Sequence, residues 1–113
     1  MTFSIKTGDL EPPLIVDVSG VTGDLNDVTS WRLVARFRGA DDILFEDTSP
    51  DVDIDPTDPT KAVVTHEFVQ GETDVAGVVQ VEVKAMWPDN RPQTIPQAGY
   101  SQFRIGDDLD PVA

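Results

Sequence analysis

The sequence predicts an all-β fold, an antiparallel β-sandwich of seven or eight short strands in a single domain. Apolar and polar side chains alternate over most of the chain, which is the period of a half-buried strand. Turn residues separate the alternating segments at intervals of about 8–12 residues, the spacing of sandwich strands. The nine prolines are spread along the chain and leave little room for a helix. A length of 113 residues fits one domain.

The alternation places the strands in the following order. The predicted strands are Thr2–Lys6, Leu14–Val18, Ser30–Arg38, Ile43–Glu46, Ala62–Phe68, Val78–Trp87, Arg91–Ile95 and Tyr100–Ile105. Between them, Ser49–Thr60 is expected to be a long polar loop and Gln70–Gly77 a turn. The number and spacing of strands favour an immunoglobulin-like arrangement, with a small barrel as the alternative. Residues 1–106 form the predicted domain, and 107–113 an acidic C-terminal tail that is expected to fray.

The chain is strongly acidic, with 21 Asp and Glu against 8 Lys and Arg and a formal net charge of −13. A small soluble domain is usually served by a net charge of magnitude about 2–8. The negative net charge argues against a nucleic-acid partner, because binding to nucleic acids depends on clustered basic residues. Arg32, Arg36 and Arg38 share one face of a predicted strand, and we expect them to pair with nearby carboxylates. No apolar run reaches the roughly 18 residues of a membrane span, so no membrane partner is expected.

Nothing in the sequence indicates an enzyme. The chain has no cysteine, which excludes thiolate nucleophiles, and no serine lies in a G-x-S-x-G pattern. The single histidine, His66, shares its parity with Val64 and Phe68. A histidine on an apolar face is more often packed and hydrogen-bonded than a general base. We therefore predict a non-enzymatic protein without a resident cofactor.

One segment, DVDIDPTDPTK, is a weak candidate for a calcium site because spaced carboxylates in a loop are what this ion prefers. Its candidate ligands are Asp51, Asp53, Asp55 and Asp58. The opening matches a D-x-D-x-D calcium loop, but Pro56 replaces the turn glycine and Ala62 the bidentate glutamate. The alternative is a solvated acidic loop. Val52 and Ile54 between the acids also indicate a short extended segment with an acidic outer face.

The order of segments resembles a family of small phage virion domains. The similarity runs through FSIKTGDLEPPLIVDV, VTSWRLVARFR, KAVVTHEF, GETDVAG, VVQVEVKAMWPDNRPQTIP and GYSQFRI, from Phe3 to Ile105. In order and spacing these segments are similar to the N-terminal domain of the baseplate upper protein family and to related immunoglobulin-like phage proteins. His66 lies where that pattern leads us to expect an aromatic residue.

The resemblance implies a structural role in a tailed virus particle, as a subunit that docks in multiple copies onto other virion proteins of the capsid, tail or baseplate. Strand ends and edges are the expected contacts, because strand addition is easiest there. The candidate interface residues are Phe3, Ile5, Arg91, Thr94 and Ile95, on the N-terminal strand and on the edge segment Arg91–Pro96. The acidic tail 107–113 is a third candidate contact. The acidic, lysine-poor composition is similar to that of proteins from extreme halophiles, because molar salt screens self-repulsion.

The alternative function is a carbohydrate- or receptor-binding module at a tail tip or cell surface. Such a site usually presents exposed aromatic residues. Trp31 and Trp87 fall on the core-facing parity of their strands, which counts against this alternative.

Overall fold

The computed structural model describes residues 3–19, 21–95 and 101–106 of the chain. These residues form nine strands. The strands are β1 (Phe3–Lys6), β2 (Leu14–Val18), β3 (Ser30–Phe37), β4 (Phe45–Asp47), β5 (Asp51–Ile54), β6 (Ala62–His66), β7 (Gly77–Trp87), β8 (Arg91–Ile95) and β9 (Ser101–Gly106). Two three-residue 3₁₀ turns, Leu25–Asp27 and Pro88–Asn90, are the helical elements in the described ranges.

The strands form two sheets. The larger sheet has the order β1-β9-β7-β3-β4, and β8 also pairs with β7. The long strand β7 pairs with β9 along its first half and with β8 along its second half, so β8 and β9 lie on the same side of β7. The smaller sheet has the order β2-β6-β5. The two sheets form the layers of an all-β sandwich, with β3, β7 and β9 in one layer and β2, β6 and β5 in the other.

A single hydrophobic core lies between the sheets. The smaller sheet contributes Leu14, Val16, Val18, Ala62 and Val64, and the larger sheet contributes Leu33, Ala35, Val79, Val81, Val83, Phe103 and Ile105. Alternate residues of β2 and β6 are buried, as the period of two requires for strands with one face on the core. The predicted all-β sandwich is therefore confirmed.

The structure differs from the sequence prediction at two strands. The segment Ser49–Thr60 is not a continuous loop, because it contains β5, which pairs with β6 and brings the described strands to nine. Val52 and Ile54 are half-buried while the intervening acids are exposed, which is sufficient alternation for a short edge strand. The second difference is that β1 and β9 run parallel, whereas the other pairs are antiparallel. Alternation predicts which face of a strand is buried, but not the direction of its neighbour.

The arginine stripe lies on the outer face of the larger sheet, as expected. Arg32 pairs with Glu46 of the neighbouring strand at 3.6 Å, between partly exposed side chains. Val34 shares this outer face but is only 7% exposed. It lies in a shallow depression bordered by Arg36, Glu82 and Lys84, whose long aliphatic stems cover it.

Candidate functional site

The four predicted calcium ligands fall into two different settings. Asp51 and Asp53 are exposed on the outward face of β5, whereas Asp55 and Asp58 lie in the turns that follow that strand. In the described ranges, no group of three or more His, Asp or Glu side chains is arranged to hold a metal ion. Calcium binding by this segment stays a prediction.

The turn carboxylates are engaged by their own neighbours in two consecutive Asp-Pro-Thr units. Asp55 Oδ1 accepts hydrogen bonds from Thr57 N and Oγ1, both at 2.8 Å. Asp58 Oδ1 accepts from Thr60 N at 3.1 Å and Oγ1 at 2.6 Å. The backbone N–H and then the hydroxyl of Thr57 lower the pKa of Asp55, and the hydroxyl and then the N–H of Thr60 lower the pKa of Asp58. The repeated Asp-Pro-Thr is a sequence signal for these turns, because aspartate commonly accepts from the backbone two residues on.

On β1, the backbone edge is accessible to a partner, but the Ile5 side chain is not. Ile5 is 4% exposed and belongs to the core, so its side chain is not available for docking. The side chain of Phe3 lies outside the described part of the chain. Thr7 N donates to Gly106 O of β9 at 2.8 Å. Because backbone groups alternate in direction along a strand, those of Ile5 also face β9 and those of Ser4 face the open margin of the sheet. A partner would thus meet the backbone of β1 and the side chain of Ser4.

On β8, Pro92 and Thr94 are the two residues whose backbone groups point away from β7, and they differ in their capacity for hydrogen bonding. Ile95 is 3% exposed and its side chain is in the core. Met86 O accepts from Thr29 N at 2.7 Å, so the backbone of Met86 faces β3, and its cross-strand partner Pro92 points away from β7. Proline has no N–H, and it blunts this edge against strand addition. Thr94, the other outward position, is half-buried and accepts from Lys84 Nζ at 3.2 Å.

Arg91, the fifth predicted contact, is exposed at the start of β8. Pro96 and the tail 107–113 lie outside the described residues. The predicted interface itself stays a prediction.

His66 is packed and hydrogen-bonded, as its parity predicts. It is 4% exposed, and its ring stacks on Phe45 with centroids 4.6 Å apart and meets Phe68 edge-on at 5.5 Å. Nδ1 contacts Asp47 Oδ2 at 2.7 Å and Nε2 contacts Glu72 Oε1 at 2.8 Å. An ionised carboxylate only accepts hydrogen bonds, so each of these two contacts places a carboxylate acceptor within hydrogen-bond distance of a ring nitrogen. Alternation does not identify these partners, because Asp47 comes from the other sheet and Glu72 from the turn that follows β6.

The tryptophans do not have the same environment. Both are half-buried and pack against the core, but Trp87 ends β7 and also lines a surface cleft of about 450 Å³. Its Nε1–H donates to Gln93 Oε1 at 2.8 Å. Both tryptophans thus pack against the core, as their parity predicts, and Trp87 at the end of β7 also borders the cleft.

No family model, curated protein or solved structure matches the chain. The resemblance to phage virion domains therefore stays a prediction from the sequence. In the described ranges, no helix has the length and apolar character needed to cross a bilayer.

Proposed function

We propose that the chain is a non-enzymatic structural subunit of a tailed virus particle, docking in multiple copies onto other virion proteins through the margin formed by β1. The observation that carries this proposal is the position of β1 at the end of the larger sheet, where it pairs with β9 and leaves its other backbone edge open among the described strands. An open strand edge is a template for pairing with another chain.

The other sheet margins have features that oppose strand addition. The strand β4 has only three residues, β5 presents Asp51 and Asp53, and β8 carries an outward Pro92. The strand β2, which ends the smaller sheet, presents the charged Asp17 beside Ile15, whose side chain is 57% exposed. Short edges, charged side chains and proline are the usual means by which proteins prevent edge pairing. On β1, the backbone groups that face outward belong to Ser4, which is small and neutral, and to Lys6, whose charge opposes pairing with a basic partner but not with an acidic one.

The charge around β1 also favours a protein partner. Lys6 and Arg104 are exposed on the outer face of the β1-β9 pair, where Ser4 lies beside Arg104. Neither forms an ion pair with another described residue. They make this margin locally basic on a chain whose net charge is −13. A basic margin attracts the acidic surface of another copy or of an acidic virion protein.

The first experiment asks whether the chain is a particle component. Mass spectrometry of purified virus particles from the source culture should detect the chain at many copies per particle. Particles that lack the chain would overturn the viral part of the proposal.

The second experiment asks whether β1 is the docking edge. Ser4→Pro removes the outward N–H without removing a bond to β9, and Ser4→Ala is the matched control. Lys6→Glu reverses the local charge, and Arg38→Glu makes the same change after β3, away from this margin. Sedimentation velocity and particle incorporation should show reduced assembly for Ser4→Pro and Lys6→Glu, with both controls like the wild type. Equal assembly of all four folded variants would exclude β1 as the docking edge.

A further inference from the structure

A cleft opens beside the β7-β8 turn, at the end of the sandwich where Trp87 leaves the core. Its volume of about 450 Å³ falls within the range of about 300–1,000 Å³ that is typical of small-molecule sites. Its lining includes Thr22, Asp24, Asp27, Trp87, Arg91 and Gln93. An aromatic surface with several polar groups around it has the composition of a ligand site rather than of a packing defect.

The indole ring in this cleft is held in one orientation. Its N–H is fixed by Gln93 Oε1 at 2.8 Å, across the β7-β8 turn. On another side, the backbone of Gly23 lies so close that a Cβ there would be 3.3 Å from Trp87 Cη2. Gly23 also has a φ of +127°, a conformation that other residues rarely adopt. A ring fixed in this way loses little conformational entropy when a ligand covers it.

The polar groups around the ring include both acceptors and donors. Asp27 provides a carboxylate, and Asp24 provides Oδ2, because its Oδ1 accepts from Asn26 N and Nδ2, both at 2.9 Å. Thr22 provides a hydroxyl that both donates and accepts. Arg91 Nε donates to Pro88 O at 3.2 Å, which holds the guanidinium at the cleft while its two terminal nitrogens lie outside that bond. A ligand that matches this set must offer donors and acceptors at the same time.

We propose that this cleft binds a saccharide, with one face of a pyranose ring stacked on Trp87 and its hydroxyls bonded to the surrounding Asp24, Asp27 and Arg91. A sugar ring has an apolar C–H face for the negative face of an indole, and its hydroxyls both donate and accept. A cationic ligand would use the indole and the carboxylates but would be repelled by Arg91. The inference does not depend on the proposed function, because the cleft involves neither β1 nor the margin it forms.

The test uses the full chain with Trp31→Phe as the background, so that Trp87 is the only tryptophan and its fluorescence reports on the cleft. The probes are three trisaccharides at up to 10 mM: maltotriose, triacetylchitotriose and trigalacturonic acid. They cover neutral, N-acetylated and acidic sugars. At least one should shift the Trp87 emission, and the same sugar should shift the amide resonances of Thr22–Asp27, Arg91 and Gln93.

Variants then locate the site. Trp87→Ala should weaken binding by at least about 30-fold, as expected for loss of a central aromatic contact. Because this variant contains no tryptophan in the Trp31→Phe background, its binding is measured from the amide resonances. Because Trp87 also contacts the core, Arg91→Ala is the second variant: it is exposed, so folding should be retained, and binding should weaken about tenfold or more. Arg38→Ala is the control for loss of an exposed arginine elsewhere and should bind like the background.

The proposal is overturned if none of the three sugars binds, or if Arg91→Ala binds as well as Arg38→Ala. It is also overturned if a lysine-rich peptide binds the cleft and the sugars do not, since the site would then be one for cations.

Discussion

Replacing His66 with phenylalanine should lower the free energy of unfolding by about 3 kcal/mol. Phenylalanine retains an aromatic ring that can stack on Phe45. It removes both donors, however, and leaves the carboxylates of Asp47 and Glu72 without their shared partner. The variant therefore separates the electrostatic contribution of the histidine from its packing.

The magnitude follows from the burial of the three groups. Breaking a buried ion pair typically costs about 3–5 kcal/mol, because one charge is left uncompensated. The side chains of Asp47 and Glu72 are 21% and 15% exposed, so water recovers part of their solvation and the lower end of this range applies. Against a total stability of about 5–15 kcal/mol for a small domain, this loss is large. With a urea dependence of about 1–3 kcal/mol per molar, the unfolding midpoint should fall by about 1–3 M.

The assay is urea unfolding followed by circular dichroism in 1 M KCl, where general charge repulsion is screened. A rescue variant adds Asp47→Asn and Glu72→Gln to His66→Phe. The amides are uncharged, but their oxygens can still accept from Ser49 N and Val69 N, as the carboxylates do at 2.9 Å in each case. This triple variant should recover a substantial part of the lost stability.

Two results would contradict this prediction. If His66→Phe is as stable as the wild type, the two short contacts contribute nothing beyond packing. If the triple variant is no better than His66→Phe, the loss does not come from unpaired carboxylates. Imidazole ¹⁵N chemical shifts give an independent check, since a ring that donates to both partners must carry protons on both nitrogens.

Three other predictions concern close packing, acid stability and salt. Gly77→Ala should destabilise the fold by about 1–3 kcal/mol, because the new Cβ would lie 2.8 Å from the ring of Phe37. Adding Phe37→Ala removes this ring, so part of the lost stability should return, as measured by chemical unfolding. The pKa of Asp55 is lower in the folded protein than its ordinary value of 3.8. Its hydrogen bonds therefore contribute fully to stability at pH values above 3.8, and this contribution is lost as the pH falls through the folded-state pKa. Thr57→Val should accordingly be less stable than the wild type at pH 6, with the difference shrinking in acid; a difference independent of pH would contradict this. The melting temperature should rise from dilute buffer to 2 M KCl, because salt screens the repulsion of a chain with net charge −13, and a flat response would exclude the halophilic interpretation.

The sequence was sufficient to predict the sandwich, because alternation identifies the buried face of each strand. Leu33 and Ala35 are fully buried and Arg32 and Arg36 exposed, as their parity requires. Alternation does not identify what covers an outer face, and Val34 is buried there by its long neighbours. Alternation also does not specify which strand lies next to which, or in which direction, so it does not predict the parallel pairing of β1 with β9.

The candidate sites were less predictable than the fold, since each depends on residues distant in sequence. Asp47 and His66 are 19 positions apart and come from different sheets, so only the assembled sandwich places them in contact. Trp87 has core-facing parity, yet it lies at the end of β7 where the opposing layer no longer covers it completely. Parity predicts burial only where a strand is covered by the opposing sheet. It does not predict burial at strand ends and loops, which is where binding sites usually form.

If β1 is the docking edge, its charge also restricts the geometry of the assembly. Two β1 margins placed against each other would bring Lys6 and Arg104 of one copy close to the same residues of the other. Like charges across an interface are costly, so a symmetric dimer through this edge is disfavoured. A contact between the basic margin of one copy and an acidic surface of the next is heterologous, and heterologous contacts produce rings when the rotation closes and filaments when it does not. The uneven placement of the few basic residues thus favours a directional, repeating assembly over a closed pair.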